Sequence, residues 1–269
     1  MASRVEPVTL TVREWRSRAR AELAAAGRGD ADHDAARIVA ASLGVAGESL
    51  SALAEEPVPG ETGVRIAERV ARRAAGEPLD YVLGVTRFRG LELAVDPSVY
   101  IPKSDILVDV ALEAPAGARV HDVGTGCGAI ALAVKHARRD LVVTGSDISP
   151  EAVEAARANA VRLGLDVRFF VADGVPDGDY DLAVAVLPYL LAEDPMATQV
   201  MGAEPRVAVI VPGDDPVEII RHVISTARRG QLLALQHARA DAETVRALLD
   251  DPITRGPEEG PWTTLGRGR

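Results

Sequence analysis

The chain has little of what several classes of protein require. It has one cysteine, Cys127, in 269 residues, so it can form no internal disulfide, and a reducing compartment fits. No run reaches 18 apolar residues, and the opening MASRVEPVTLTVREW contains no apolar signal segment. We therefore expect a soluble, cytoplasmic protein with no membrane partner.

The chain also lacks basic charge and a metal-ligand pattern. Its net charge of −10 argues against nucleic acid as the main partner. Three histidines, His33, His136 and His222, lie on helical stretches without ligand spacing, so we expect no metal site.

Three amphipathic stretches predict a helical domain over residues 1–80. The first begins at Thr11, an N-cap with Glu14 three residues later, which is the pattern of a capping box. Residues 81–104 are predicted to form a linking β-hairpin, because the segment YVLGVTRFRGLELAVDPSVYIP, which ends at Pro102, is rich in Val, Leu, Phe and Tyr.

Residues 105–269 alternate strand and helix patterns. The strand patterns are ARVHDVG, LVVTGSD, VRFFVAD, DLAVAVLP and QLLALQH, with helical stretches between them. This order predicts a doubly wound, Rossmann-like α/β fold with a parallel sheet. The Gly- and Pro-rich tail from Asp251 is compatible with an edge hairpin.

The strongest local motif is HDVGTGCGAIALAV. A strand is expected to end at Asp122, and Gly124, Gly126 and Gly128 then make a tight turn that opens a helix. Such a turn lets backbone N–H groups approach a ligand closely, although a purely structural turn would look the same.

Two acids at later strand ends favour a ligand. Asp147 follows the glycines by about 20 residues, the position from which an acid grips ribose hydroxyls. Asp173, expected to end the third strand, could accept a hydrogen bond from an adenine amino group. Each Asp alone could equally be a helix cap or a turn residue.

The ligand could be a dinucleotide or S-adenosylmethionine. The G-x-G-x-G spacing with Asp122 before it favours S-adenosylmethionine, because a dinucleotide fingerprint requires a third glycine where this chain has Ala129. The predicted cofactor residues are Asp122, Gly124, Thr125, Gly126, Cys127, Gly128, Asp147, Ile148, Asp173 and Gly174. Cys127 is not expected to be a nucleophile, and His121 is interpreted as a strand residue without a role in proton transfer. His237 follows a strand pattern and could border the cleft, although a structural role is favoured.

With these residues, the chain resembles the protein-glutamine methyltransferases that modify the Gly-Gly-Gln loop of peptide chain release factors. The resemblance covers PLDYVLGVTRFRGLELAVDPSVYIPKSD, DVGTGCGAIALAV, GSDISPEAVEAARANA, EPRVAV and the terminal TLGR. It implies a helical recognition domain, S-adenosylmethionine as the methyl donor and a release factor as the partner.

The chain departs from this family at its catalytic loop. The family carries Asn-Pro-Pro-Tyr, and the corresponding positions here are Val186, Leu187, Pro188 and Tyr189. The family's Pro-Arg-Pro segment becomes Pro102, Lys103, Ser104, and its Glu-His-Gly becomes Gln236, His237, Ala238.

The missing Asn has a physical consequence. An amide nitrogen is a poor nucleophile, and hydrogen bonds accepted from its N–H groups orient and polarise it. Val186 offers no such bond, so we expect either slower glutamine methylation or a changed acceptor, such as the hydroxyl, amine or thiol of a small molecule. The alternatives are a non-catalytic S-adenosylmethionine-binding protein and a nucleic-acid amino-methyltransferase, which the acidic charge disfavours. The sequence leaves the oligomeric state open.

Overall fold

The structure is a computed structural model that describes residues 10–195, 197, 203–257 and 260–269. The expectations drawn from the first nine residues lie outside this range. The chain forms two compact units, Met1–Gly84 and Val85–Arg269. The division predicted at residues 80 and 104, with a recognition role for the first part, stays a prediction.

The first unit is helical, as its amphipathic pattern predicts. Its helices are α1 (Val12–Ala25), α2 (Ala31–Leu43), α3 (Gly60–Ala74) and the short α4 (Leu79–Leu83). The capping box is present: Glu14 N–H donates to Thr11 Oγ1 at 3.3 Å, and Thr11 N–H donates to Glu14 Oε2 at 2.8 Å. Buried aliphatic residues from all four helices, among them Leu23, Ile38 and Ile66, form one core.

The second unit opens with the predicted hairpin. Strands β1 (Val85–Phe88) and β2 (Leu91–Ala94) pair antiparallel, with Phe88 opposite Leu91. Arg89 and Gly90 between them have φ of 49° and 80°. Two successive positive φ values are the requirement of a type I′ turn, whose twist matches that of the strands.

A seven-stranded sheet forms the centre of the second unit, in the order β5-β4-β3-β6-β7-β9-β8. Its strands are β3 (Arg119–Val123), β4 (Val142–Asp147), β5 (Arg168–Val171), β6 (Leu182–Val186), β7 (Leu232–His237), β8 (Leu249–Arg255) and β9 (Trp262–Gly268). The five strands from β3 to β7 are parallel. The predicted doubly wound α/β fold is therefore confirmed.

The helices of this unit are α5 (Ile106–Leu112), α6 (Ala129–Ala137), α7 (Pro150–Leu163), α8 (Arg206–Val209), α9 (Glu218–Thr226) and α10 (Ala242–Ala247). On one face of the sheet, Ala183, Ala185 and Leu187 pack with Leu233 and Leu235 against apolar residues of α9. Alternate strand residues point to the opposite face, which also carries Asp122.

The tail forms the expected hairpin, but its second strand is internal. Strand β9 pairs antiparallel with both β7 and β8, so β8 is the edge strand. The predicted strand ends at Asp122 and Asp173 are slightly wrong: β3 continues to Val123, and β5 stops at Val171, two residues before Asp173. Within the ranges that the structure describes, no helix combines the length and apolar character needed to cross a membrane.

Candidate active site

The glycine turn joins β3 to α6 at the carboxyl-terminal edge of the sheet. Gly124, Gly126 and Gly128 have φ of 69°, 55° and 85°, a region that other residues adopt at a cost. A Cβ on Gly124 would lie 3.4 Å from Leu187 Cδ2 and 3.6 Å from the carbonyl oxygen of Val186. The glycine turn therefore packs directly against the loop that follows β6.

Asp122 is buried beneath this turn. Its Oδ2 accepts hydrogen bonds from the Thr125 hydroxyl at 2.7 Å and the Ala131 N–H at 3.3 Å. Its Oδ1 is also buried and has no partner. Burial raises the pKa of Asp122 to about 7, although the Thr125 and Ala131 bonds lower it. One oxygen thus holds the turn, and the other is free to accept a donor.

Asp147, the last residue of β4, accepts hydrogen bonds from the glycine turn and from the loop that follows β4. Its Oδ2 accepts the Gly126 N–H at 2.9 Å, and its Oδ1 accepts the Ser149 N–H at 3.0 Å. Each carboxylate oxygen keeps a second lone pair for another donor. The next residue, Ile148, is an exposed apolar side chain at the same edge.

Asp173 and Gly174 follow β5. Asp173 is exposed, and its Oδ1 lies 2.8 Å from Nε2 of His222 on α9. Gly174 has φ of 78°, and a Cβ there would lie 2.3 Å from Thr226 Oγ1. The turn after β5 thus needs glycine for its backbone and for its contact with α9.

Cys127 and the two strand histidines are held as structural groups. Burial raises the pKa of the Cys127 thiol to about 12, so it is protonated at neutral pH. His121 is fully buried, bonded to Thr144 and Ser146, and burial lowers its pKa to about 4. His237 is fully buried; the Ala238 carbonyl requires a proton on its Nδ1, and Nε2 can then accept from the Thr264 hydroxyl.

The loop after β6 carries Val186, Leu187, Pro188 and Tyr189 in succession. Val186 is half-buried at the strand end, and Leu187 is buried in the core shared with α9. Burial raises the pKa of the Tyr189 phenol, with the neighbouring Tyr100 adding to this shift. The loop therefore offers apolar walls and one neutral hydroxyl.

An ion pair lies beside this loop. Lys103 Nζ donates to Glu204 Oε1 at 2.8 Å and lies 4.7 Å from the centroid of the Tyr100 ring. Glu204 is 8% exposed, and burial raises its pKa against the opposing effect of Lys103. Its second oxygen, Oε2, is buried without a partner.

Unpaired buried polar atoms concentrate at this edge of the sheet. Among the residues that the structure describes, four buried side-chain atoms have no hydrogen-bond partner: Asp122 Oδ1, Glu204 Oε2, Gln236 Oε1 and Thr263 Oγ1. Each such group costs about 1–3 kcal/mol of folding free energy. All four flank the glycine turn, the loop after β6 or the end of β7, which is where ligands bind in open α/β sheets.

The predicted residues thus lie along one edge, but sequence reasoning gave no role to several others. Glu204 and Gln236 were noted only as parts of family segments, and Tyr100 and Thr263 were not singled out. No local pattern signals them, because the pairing of Lys103 with Glu204 joins residues 101 positions apart. Within the described ranges, no group of three or more His, Cys, Asp or Glu side chains could hold a metal ion.

The fold and the glycine turn at the carboxyl-terminal edge of the sheet indicate the class of protein to which the second unit belongs. The fold is similar to that of the catalytic domain of hMettl16, solved in complex with MAT2A 3'UTR hairpin 6, at a TM-score of 0.52 and 13% identity over 78% of this chain and 82% of that one. Residues 102–194 match the methyltransferase small domain family, and residues 14–84 match the PrmC N-terminal domain family. The second unit is a methyltransferase domain of the S-adenosylmethionine-dependent class.

The family follows from curated relatives. A release factor glutamine methyltransferase of Bordetella pertussis is 38% identical over 214 residues, 73% of this chain and 78% of the relative. One of Geobacter sulfurreducens is 34% identical over 252 residues, 89% and 88% of the two chains. The chain therefore belongs to the release factor glutamine methyltransferase family, and the resemblance predicted from its motifs is confirmed.

Proposed function

We propose that this protein transfers a methyl group from S-adenosylmethionine to the glutamine of the Gly-Gly-Gln loop in a peptide chain release factor. The observation that carries the proposal is the direct packing of the glycine turn on the loop after β6, in a chain of this family. A Cβ on Gly124 would be in van der Waals contact with Leu187 Cδ2 at 3.4 Å, so a donor held by the turn would lie next to an acceptor held by that loop.

The residues present fit a cationic nucleoside. We propose that the free Oδ1 of Asp122 accepts the ammonium group of the methionine moiety. The remaining lone pairs of Asp147 would accept ribose hydroxyls, while Asp173, Ile148 and Gly174 would border the adenine. The backbone of residues 124–128, which includes Thr125 and Cys127, would cradle the methionine portion.

S-adenosylmethionine supplies the methyl group: its methyl–sulfur bond breaks with the electron pair left on sulfur, as the acceptor binds the methyl carbon and loses a proton to solvent. The protein has to align the two reacting atoms and exclude water. Leu187, Pro188 and Tyr189 would form the walls that do so. The Leu187 carbonyl would accept one N–H bond from the acceptor.

Val186 favours a second candidate. Because its side chain cannot accept a hydrogen bond, an acceptor more nucleophilic than an amide, such as an amine or hydroxyl of a small molecule, would need less help from this loop. In this case the cofactor residues would keep the roles proposed above.

The proposal is tested by the mass of a bacterial release factor after incubation with the protein and S-adenosylmethionine. We expect one added methyl group, located by peptide mapping on the glutamine of Gly-Gly-Gln. An unmodified release factor, with donor binding demonstrated in the same preparation, would contradict the proposed acceptor and leave the small-molecule candidate.

A further inference from the structure

Gln236 lies in a row of three residues across the edge of the sheet. In the strand register it is opposite Val186 of β6 on one side and Thr263 of β9 on the other. Residues paired in register point to the same face, so these three side chains share one face. It is the face opposite α9, and therefore the face of Asp122, which lies two strands across and two residues along the strands, roughly 12 Å away.

Two members of the row are buried, and each has a buried oxygen without a partner. Gln236 and Thr263 are each 3% exposed, and Gln236 Oε1 and Thr263 Oγ1 have no partner. Their neighbour Val186 supplies no polar side-chain atom. By contrast, His237, the next residue of β7, has both ring nitrogens bonded.

A second buried glutamine at the other end of β7 provides the comparison. Gln231 is also 3% exposed, but its Nε2 donates to the carbonyl oxygen of Tyr180 at 2.8 Å. The fold thus satisfies the glutamine at the amino-terminal end of the strand. It leaves an oxygen unsatisfied at the end that faces the glycine turn and the loop after β6.

We propose that Gln236 recognises the methyl acceptor: its Oε1 accepts a hydrogen bond from an N–H or O–H of the group being methylated, in the position beside Val186. The inference rests on the proposed methyl transfer, but it names the group that orients the acceptor. A carbonyl oxygen placed there restricts the acceptor to one that carries a hydrogen on its reacting atom.

The test compares Gln236→Met with the matched variant Gln231→Met. For Gln236→Met we expect kcat/KM for release factor methylation to fall about 10- to 100-fold, while the affinity for S-adenosylmethionine and the Tm stay unchanged or the Tm rises. Gln231→Met should lower Tm and leave kcat/KM unchanged. Adding Val186→Asn to Gln236→Met should restore activity, because an Asn oxygen then replaces the lost acceptor.

Two results would overturn the inference. The first is a Gln236→Met variant whose kcat/KM for release factor methylation equals that of the wild type. The second is a Gln236→Met variant whose Tm falls as expected for Gln231→Met, without a change in kcat/KM for the release factor. If the wild-type protein leaves release factor unmodified, the proposed function fails separately, and a crystal structure with S-adenosylhomocysteine decides the role of Gln236. An Oε1 that faces the ligand sulfur without a protein donor supports it, and an Oε1 bonded to Thr263 or another protein group refutes it.

Discussion

The two halves of the sheet edge differ in how their polar groups are partnered. On the side of β3 and β4, the carboxylates of Asp122 and Asp147 each accept two hydrogen bonds from protein groups, and they hold the glycine turn in place. On the side of β6 and β7, Val186 is apolar and Gln236 Oε1 is unpaired. In the first half, hydrogen bonds within the chain hold both carboxylates and leave only Asp122 Oδ1 unpaired, whereas in the second half Gln236 Oε1 and Thr263 Oγ1 are both unpaired.

In the proposed function, this difference would let donor binding and acceptor recognition change independently. The donor half, on the side of β3 and β4, would consist of the three glycines of the turn and the carboxylates of Asp122 and Asp147. The acceptor half, on the side of β6 and β7, would consist of the side chains beside the loop after β6. The departures from the family pattern at Val186 and Gln236 are neighbours in the sheet, so they change one small region together.

The largest expected effect is a loss of affinity for S-adenosylmethionine when the donor half is altered. Asp147→Ala removes the bonds to Gly126 and Ser149 as well as the proposed ribose contacts. Because hydrogen bonds to charged groups contribute about 1.5–3 kcal/mol each, affinity for S-adenosylmethionine should fall at least about 100-fold. Isothermal titration calorimetry measures this, with the exposed Asp166→Ala as control. Unchanged affinity in Asp147→Ala would show that the donor is held elsewhere.

The next largest effect is a faster methylation of the release factor when a hydrogen-bond acceptor is added to the acceptor half. Val186→Asn adds a side-chain oxygen to the loop, and the rate of release factor methylation should rise about 10- to 100-fold at unchanged donor affinity. Single-turnover mass spectrometry follows the rate. A rate that stays the same or falls would mean that the pocket is shaped for an acceptor other than an amide.

A smaller effect concerns pH and Asp122. Because burial raises its pKa to about 7, this carboxyl is largely protonated at pH 6 and ionises as the pH rises. In the proposed site the ionised carboxylate binds the ammonium group, so affinity for S-adenosylmethionine should increase about five- to tenfold from pH 6 to pH 7.5, because an α-amino group, with a pKa of about 7.7–8.0, is still mostly protonated at pH 7.5. Calorimetry at several pH values should show this slope in wild type and none in Asp122→Asn. An equal slope in both would exclude Asp122 as its source.

The smallest effect distinguishes backbone strain from steric crowding as the cause of lost stability when a glycine of the turn is replaced. Gly126→Ala meets no neighbouring atom, so it costs only the strain of positive φ, about 1–2 kcal/mol. Gly128→Ala has the same strain and also brings its Cβ within 3.0–3.2 Å of Leu132, Ala156 and Phe169, so it should lower the free energy of unfolding further. Denaturant unfolding of both variants checks this order, and equal losses would contradict it.

Much of the donor half could be predicted from sequence because its signals are local. The glycine turn and Asp147 lie within 24 residues, and each is marked by a strand pattern before it. The five parallel strands were predictable for the same reason. Strand ends were less so: the turn at Gly174 stops β5 before Asp173, and short-range patterns do not fix where pairing stops.

The acceptor half could not be assembled this way. Gln236 lies beside Val186 only because β7 pairs with β6, and Thr263 joins them only because the tail strand β9 inserts next to β7. The Lys103–Glu204 pair likewise depends on the path of the chain after β6. Burial without a partner, the property that marks Gln236 and Glu204, exists only in three dimensions.

The most direct test of the account measures both halves in one preparation. S-adenosylmethionine is titrated into the wild-type protein and into Val186→Asn, and each is then given a bacterial release factor whose mass is followed with time. The account predicts equal donor affinity in the two proteins and a single added methyl group that appears faster with Val186→Asn. Absence of donor binding to the wild-type protein would contradict the central claim that the donor half is intact.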